Sequence, residues 1–224
     1  YLYDGICGMT SVSANSSGAR DFETNKYYDY QEYYNTGYNT APLMQRSVTF
    51  LKEPGFWIVS DYNVPNEPEK ENTFAQHWHT YPDANMEYDD NYVVRTNYDG
   101  PNVTIVPIEK DELDDVRWVD CYYSEKAGMK VIAQKAMYTK THRGNGRFTT
   151  LIIPEDLDGD FKVETFEVKN LSGLEDSLIN GAYFRITDQN TGEENYYFYY
   201  HINDETLKPE NGVKIGDYTT DATT

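Results

Sequence analysis

Three successive segments between residues 45 and 80 have the composition of β-strands, and they constrain the fold more than any other part of the chain. β-Branched and aromatic residues fill the segments 46–51, 56–62 and 72–80, whereas Pro, Gly, Asn and Glu concentrate in the joints between them. The first joint, residues 52–55, has the composition of a tight turn. Strands joined by such short turns and loops are predicted to form an antiparallel meander.

The third segment places two histidines on one face of its predicted strand. Side chains alternate along a strand, so Phe74, Gln76 and Trp78 share one face. His77 and His79 then share the other face and project together. We therefore expect chemistry or ligand contact first at this strand.

Short strand-like segments recur along the whole chain at spacings of about 8–12 residues, without a convincing amphipathic helix between them. About ten to twelve such strands predict an all-β fold, a two-sheet antiparallel β-sandwich. We expect one module over residues 1–217, with residues 1–44 as an irregular covering segment. Residues 218–224 are expected to begin a Thr-rich linker. Because the first residue is Tyr1 and not Met, we interpret the chain as a module of a longer protein.

The charge of the chain limits its partners. It carries 19 basic and 38 acidic side chains, a formal charge of −19. Such a field repels polyanions, which disfavours nucleic acid, anionic membranes and heparin-like glycans. No apolar stretch approaches the roughly 20 residues that a membrane-spanning helix needs. If the chain binds a glycan, we expect a neutral polysaccharide.

The chain has two cysteines, Cys7 and Cys121, which are too few for a disulfide scaffold. A bond between them would tie the N-terminal segment to a central strand. The sequence leaves this pairing open, because the geometry that a disulfide needs cannot be deduced from spacing.

Several short runs in the middle half of the chain resemble the C-terminal β-sandwich domain of heparinase II/III-type polysaccharide lyases. These runs are Arg46-x-Val48-x-Phe50, Lys52-x-Pro54-x-Phe56-Trp57-Ile58-Val59-x-Asp61, Trp78-His79-x-x-Pro82, Tyr122-Tyr123-Ser124 and Phe148-Thr149-Thr150-Leu151-Ile152-Ile153-Pro154. The resemblance implies a sandwich without the main catalytic groups, because that family cleaves with Asn, His and Tyr residues carried largely on a helical toroid that precedes the sandwich.

The resemblance also raises the question of a metal. Some of these lyases hold zinc in the sandwich with two histidines and an aspartate, the first histidine lying in a His-Asn-Thr run. Here the sequence has Tyr38-Asn39-Thr40 at that point, so one ligand is missing from the set with Asp61 and the two histidines of the third segment. We therefore expect no zinc, and interpret the histidines as hydrogen-bonding groups at a sheet surface.

A cluster of three aspartates is a candidate calcium site. Asp156, Asp158 and Asp160 lie within one turn, but an EF-hand loop would need a distant Glu where Thr165 stands. A solvated turn is the expectation, with calcium as the alternative cofactor.

Aromatic residues are the remaining signal, with 22 Tyr, 9 Phe and 3 Trp. Neutral sugars stack their C–H faces on Trp or Tyr rings, while flanking polar groups bind the hydroxyls. The candidate carbohydrate-binding residues are Trp78, Trp118, Tyr122, His77, His79 and Gln76. The alternative is that the rings belong to the core.

These features lead to three functional hypotheses. The first is a non-catalytic carbohydrate-binding module for a neutral plant polysaccharide, a β-glucan or a hemicellulose such as xyloglucan. It would belong to a secreted, extracellular bacterial enzyme complex of the cellulosome type that degrades plant cell walls, covalently linked to catalytic or docking modules. The second is the C-terminal sandwich of a heparinase II/III-type lyase, with His77 or His79 lining the substrate cleft. The third is a structural spacer or adhesion domain.

Overall fold

The computed structural model describes residues 17–35, 43–155, 161–166, 179–203 and 212–215. The chain divides into two compact units, Tyr1–Pro154 and Glu155–Thr224. The single module expected over residues 1–217 stays a prediction. Within the described ranges, no helix is long and apolar enough to span a membrane.

All strand pairs in the described residues for which a register is defined are antiparallel, which confirms the all-β class. The strands are β1 Ser17–Thr24, β2 Tyr28–Asn35, β3 Leu43–Leu51, β4 Phe56–Val64, β5 Asn72–His79, β6 Glu87–Tyr88, β7 Val94–Arg95, β8 Asn102–Pro107, β9 Asp115–Tyr123, β10 Val131–His142, β11 Gly146–Glu155, β12 Phe161–Phe166, β13 Ile179–Asp188, β14 Glu194–Ile202 and β15 Gly212–Ile215. A short 3-10 helix, Lys110–Glu112, precedes β9. These described strands exceed the predicted ten to twelve, in part because β6 is too short to leave a periodic signal.

Two sheets form the sandwich of the first unit. The larger sheet has the order β1-β2-β3-β4-β11-β8-β7-β6, and the smaller has the order β5-β10-β9. Side chains from both sheets meet in one apolar cluster. Its members are Phe74, Ala84, Met86, Val94, Ile105, Val116, Ala136, Tyr138 and Phe148, with Trp78, Tyr92, Tyr98, Val103, Leu113 and Trp118 packed around them.

The predicted meander is correct for its first two strands and wrong for the third. β3 and β4 pair across the predicted turn, where Gly55 has a φ of +74° and its N–H donates to the carbonyl of Leu51 at 2.9 Å. β5 instead crosses to the smaller sheet and pairs with β10. Both arrangements need only a short loop and one buried strand face, so the pattern of the sequence does not distinguish them.

The expectation of an irregular segment over residues 1–44 is also wrong in part, since β1 and β2 extend the larger sheet beyond β3. A buried carboxylate interrupts the alternation of apolar and polar residues along β2. Glu32 is fully buried, and it accepts hydrogen bonds from the Tyr30 hydroxyl at 2.7 Å and from Gln45 Nε2 at 2.6 Å. A polar residue at an inward position is stable where its hydrogen bonds are satisfied, but it breaks the apolar alternation that identifies a strand.

The second unit contains a four-stranded sheet of order β12-β13-β14-β15. Its β13–β14 hairpin was predicted, and the φ of +75° at Gly192 allows the tight connection. Ala182, Phe184 and Tyr199 are buried on one side of this sheet. The same unit buries a polar trio, in which the Asn203 amide donates to Asn180 and the His201 Nδ1 atom lies 2.8 Å from Asn203 Oδ1.

Candidate functional site

The inward face of β5 is occupied by a hydrogen-bonded network that joins the two sheets. Gln76 is only 2% exposed, and its Nε2 donates to Asp61 Oδ2 at 2.9 Å. Its Oε1 accepts from the Thr150 hydroxyl at 2.7 Å and from the Trp78 indole at 3.0 Å. The amide of Gln76 is therefore engaged inside the protein, and its assignment as a carbohydrate-binding residue stays a prediction that this burial does not favour.

Asp61 is paired with a cation from the neighbouring strand. Arg46 donates from Nε to Oδ1 at 2.6 Å and from its terminal nitrogen to Oδ2 at 2.7 Å. Such two-pronged contacts are among the stronger hydrogen bonds in proteins. Since Asp61 also accepts from Gln76, its carboxylate stabilises the contact between the sheets, and a metal would have to displace a guanidinium to reach it.

His77 and His79 lie on the opposite face of β5, as predicted, with ring centroids 6.4 Å apart. Their cross-strand neighbours on β10 are Met137 and Lys135, which are both buried. Because Asp61 contacts the inward face of the strand, the set of Asp61 and two histidines considered for zinc is not assembled. Within the residues that the structure describes, no group of three His, Cys, Asp or Glu side chains could hold a metal ion.

Trp78 and Trp118 are brought together across the smaller sheet. Both pair with Ala136 on the central strand, so the two indoles flank a fully buried alanine on the inward face. The Arg46 guanidinium lies 5.5 Å from the ring centroid of Trp78, and Tyr88 contacts Trp118 edge-on at 5.3 Å. Both indoles are half-buried and pack against the core, which agrees with the alternative interpretation of these rings.

Tyr122 lies farther along the same face of β9 and is exposed, as a sugar-binding ring should be. The Lys130 ammonium, however, lies 3.3 Å from the centroid of its ring. One face of Tyr122 is therefore covered by a cation. The candidate rings thus differ in exposure, since Trp78 and Trp118 are half-buried whereas Tyr122 is exposed, and their role in binding stays a prediction.

Several predicted features lie outside the described residues. They are Cys7, Asp156, Asp158, Asp160, the run 38–40 and the tail 218–224. The calcium site, the Cys7–Cys121 pairing and the linker thus stay predictions, although Cys121 itself is buried in β9.

A pocket of about 360 Å³ lies at the end of the smaller sheet, and it was not predicted from the sequence. It is lined by Tyr81, Pro82, Asp83, Tyr123, Glu125, Met129, Val131 and Ile132. The rings of Tyr81 and Tyr123 meet edge-on at 4.9 Å. A Tyr-Pro-Asp run directly after a strand was the available signal, but the partner residues come from a hairpin some forty positions away.

Solved structures of polysaccharide lyases contain a domain of similar fold. Crystal structures of heparan sulfate lyase HepC from Pedobacter heparinus, and of a mutant of it, match with a TM-score of 0.62 at 19% identity over 81% of this chain. A crystal structure of heparinase III matches with a TM-score of 0.56 at 14% identity over 80% of this chain. No family model matches the sequence, and no curated protein matches it.

The match is confined to one part of the lyases. The chain spans 27% of the length of the HepC chain and 26% of that of heparinase III. At this level of identity, the likeness is one of fold. It confirms that this chain resembles a domain of heparinase II/III-type lyases, as the motifs around Arg46, Asp61 and Trp78 had indicated.

Proposed function

We propose that this chain is the β-sandwich domain of a polysaccharide lyase of the heparinase II/III type, and that it supports cleavage without performing it. The observation that carries the proposal is the likeness over 81% of this chain to only 27% of a heparan sulfate lyase. The alternative function inferred from the sequence is thereby favoured over an independent binding module.

The arrangement of ionisable side chains supports a non-catalytic role for the isolated chain. β-Elimination needs a base and an acid that reach the same sugar residue. In the described part of the chain, His77 and His79 share one face of β5, whereas the Asp61 carboxylate is on the other side of that strand and is held by Arg46. We therefore expect the main acid–base groups to lie on another segment of a longer protein.

The test compares the isolated chain with the full-length gene product. The isolated chain should release no unsaturated uronate from heparan sulfate, alginate or polygalacturonate, whereas the full-length protein should do so on at least one of them. Ultraviolet absorbance of the unsaturated product measures both reactions. Inactivity of the full-length protein on all uronate polymers would refute the proposal.

His79 provides a sharper version of this test. It is exposed, so His79→Ala should leave the melting temperature unchanged. If His79 lines the substrate cleft, the variant lowers kcat/KM of the full-length protein. The matched control is Thr73→Ala, an exposed position on the same face of the same strand.

A second candidate function is the binding of a neutral polysaccharide, and the formal charge of −19 favours it. A protein of this charge gains no affinity from counterion release by a polyanion, so binding should be nearly insensitive to salt. In affinity electrophoresis, xyloglucan or a β-glucan should retard the chain more than heparin or pectate does. This candidate includes the extracellular, plant cell-wall role and the covalently linked catalytic or docking modules. The reverse order of retardation would exclude the neutral ligand.

A further inference from the structure

We propose that the pocket between Tyr81 and the β9–β10 hairpin binds a sugar residue of a neutral glycan. This inference rests on the second candidate function and locates its site. It moves the binding surface away from Trp78 and Trp118, whose half-buried indoles pack against the core, to residues that were not predicted from the sequence.

The size and lining of the pocket fit a small polar ligand with apolar faces. Its volume of about 360 Å³ lies in the range of small-molecule sites. Met129, Val131 and Ile132 supply exposed apolar walls, and two carboxylates complete the lining. This mixture suits a pyranose ring, which presents C–H groups on its faces and hydroxyls around its edge.

Tyr81 is the stacking surface. It is 54% exposed, although its backbone is fixed from two directions. The Tyr98 hydroxyl donates to the Tyr81 carbonyl at 2.7 Å. The N–H of the preceding residue, Thr80, donates to the Gln134 carbonyl of β10 at 3.1 Å. The contact with the Tyr123 ring restricts the rotation of the Tyr81 side chain, which is still exposed, so less conformational entropy is lost when a ligand stacks on it.

Asp83 and Glu125 give the pocket its selectivity for charge. Both are exposed carboxylates, and the eight lining residues include no Lys, Arg or His. Carboxylates accept hydrogen bonds from sugar hydroxyls, whereas they repel sulfate and uronate groups. An acidic sugar offers hydroxyls as well, but its anionic groups are repelled by these carboxylates, so the pocket favours the neutral sugar.

The experiment is calorimetric titration of the chain with cellotetraose and xylotetraose, and with a heparin-derived tetrasaccharide as the polyanion. The chain should bind at least one neutral oligosaccharide. Tyr81→Ala should weaken that binding by about 5- to 150-fold, the range that one aromatic stacking contact gives for planar rings. Asp83→Asn with Glu125→Gln should weaken neutral binding and reduce the discrimination against the polyanion. Asn tolerates the φ of +63° at position 83, so this change does not strain the turn.

The matched control is Tyr27→Ala, because Tyr27 is also 54% exposed but does not line the pocket. It should bind like the parent, and both Tyr variants should keep the parent melting temperature. If Tyr81→Ala binds as the control does, the pocket is not the site, although neutral-glycan binding stands. If the parent binds neither neutral oligosaccharide, this inference and the second candidate function both fail, while the lyase-domain proposal is untouched.

Discussion

The inward face of β10 is buried over most of its length, here called the sealed part, and exposed at one end, here called the open end. Its middle carries Tyr138 and Ala136, both fully buried beneath the larger sheet. Ile132 lies on the same face of the same strand, four residues before Ala136, and is 69% exposed. Its cross-strand partner Tyr122 is exposed as well. The strand pattern is the same in both regions, so the difference comes from how far the facing sheet reaches. Stability should depend on the sealed part, and ligand contact on the open end.

The largest expected effect separates these two regions directly. Tyr138→Ala should lower the free energy of unfolding by about 3–5 kcal/mol, the range for large buried aromatic side chains, because it leaves a cavity and an unpaired carbonyl at Tyr92. Ile132→Ala, on the same face, should cost less than about 0.5 kcal/mol. Denaturant unfolding followed by Trp fluorescence reports on the first unit, since all three Trp residues lie there. Equal losses would contradict the contrast between the regions.

A smaller effect is expected in the network that joins the sheets. Asp61→Asn keeps the shape of the side chain but removes the charge that Arg46 contacts, and should cost about 1–3 kcal/mol. Arg46→Met provides the other arm of a double-mutant cycle with Asp61→Asn. A coupling energy close to zero would show that the two side chains do not stabilise each other.

The end of β10 opposite to Ile132 should make stability depend on pH. There the buried Lys140 ammonium lies 2.9 Å from Glu112 Oε2. Partial burial raises the pKa of Glu112, but the charge of Lys140 and its hydrogen bond outweigh this effect and hold the pKa below its ordinary value of 4.5. The folded state thus binds this proton less readily than the unfolded state, so the stabilisation is present above pH 4.5 and is lost as the pH falls through the lowered pKa.

Glu112→Gln tests this sign. The variant should lose part of the decline in melting temperature that the parent shows on acidification, and the difference at neutral pH should be at most about 1 kcal/mol, because Glu112 is half exposed. An equal decline in melting temperature for parent and variant across the acidic range would show that Glu112 does not contribute to the pH dependence. Glu67→Gln is the control, since its ion pair with Lys70 is fully at the surface.

Another small effect is expected at the open end. Lys130→Met removes the cation from the Tyr122 ring and should change the free energy of unfolding by less than about 1 kcal/mol, as expected for an exposed cation–π contact. A larger loss, measured by the same denaturant titration, would mean that this end contributes to the core after all.

Much of the fold follows from the sequence because alternation and turn chemistry are local. The existence and approximate position of β3, β4 and β5, the two faces of β5 and the β13–β14 hairpin were predicted in this way. The observed β3 begins three residues before its predicted start, and β4 extends two residues beyond its predicted end. The sheet to which β5 belongs was not, since that choice depends on β10, which follows far along the chain. β2 was missed because Glu32 occupies an inward position.

The candidate site was harder to predict, and for a physical reason. Period two shows that Trp118 and Tyr122 share one face of β9, but it does not show which face is buried or where the opposite sheet ends. Trp118 and Tyr122 are four residues apart on one strand, yet the first packs on the core and the second is exposed. The pocket at Tyr81 needs a loop and a hairpin from separate parts of the chain, so no local pattern reveals it.

The position of β11 in the larger sheet bears on how the protein is made. β11 lies between β4 and β8, so it joins the strands β1–β4 to the strands β6–β8. It is also the strand of the first unit that the ribosome completes last. Until it emerges, the two halves of the sheet have no strand to pair through, and each exposes an unpaired edge. Folding of the first unit therefore waits for a late, sequence-distant pairing, which favours slow maturation and a need for protection against aggregation during synthesis.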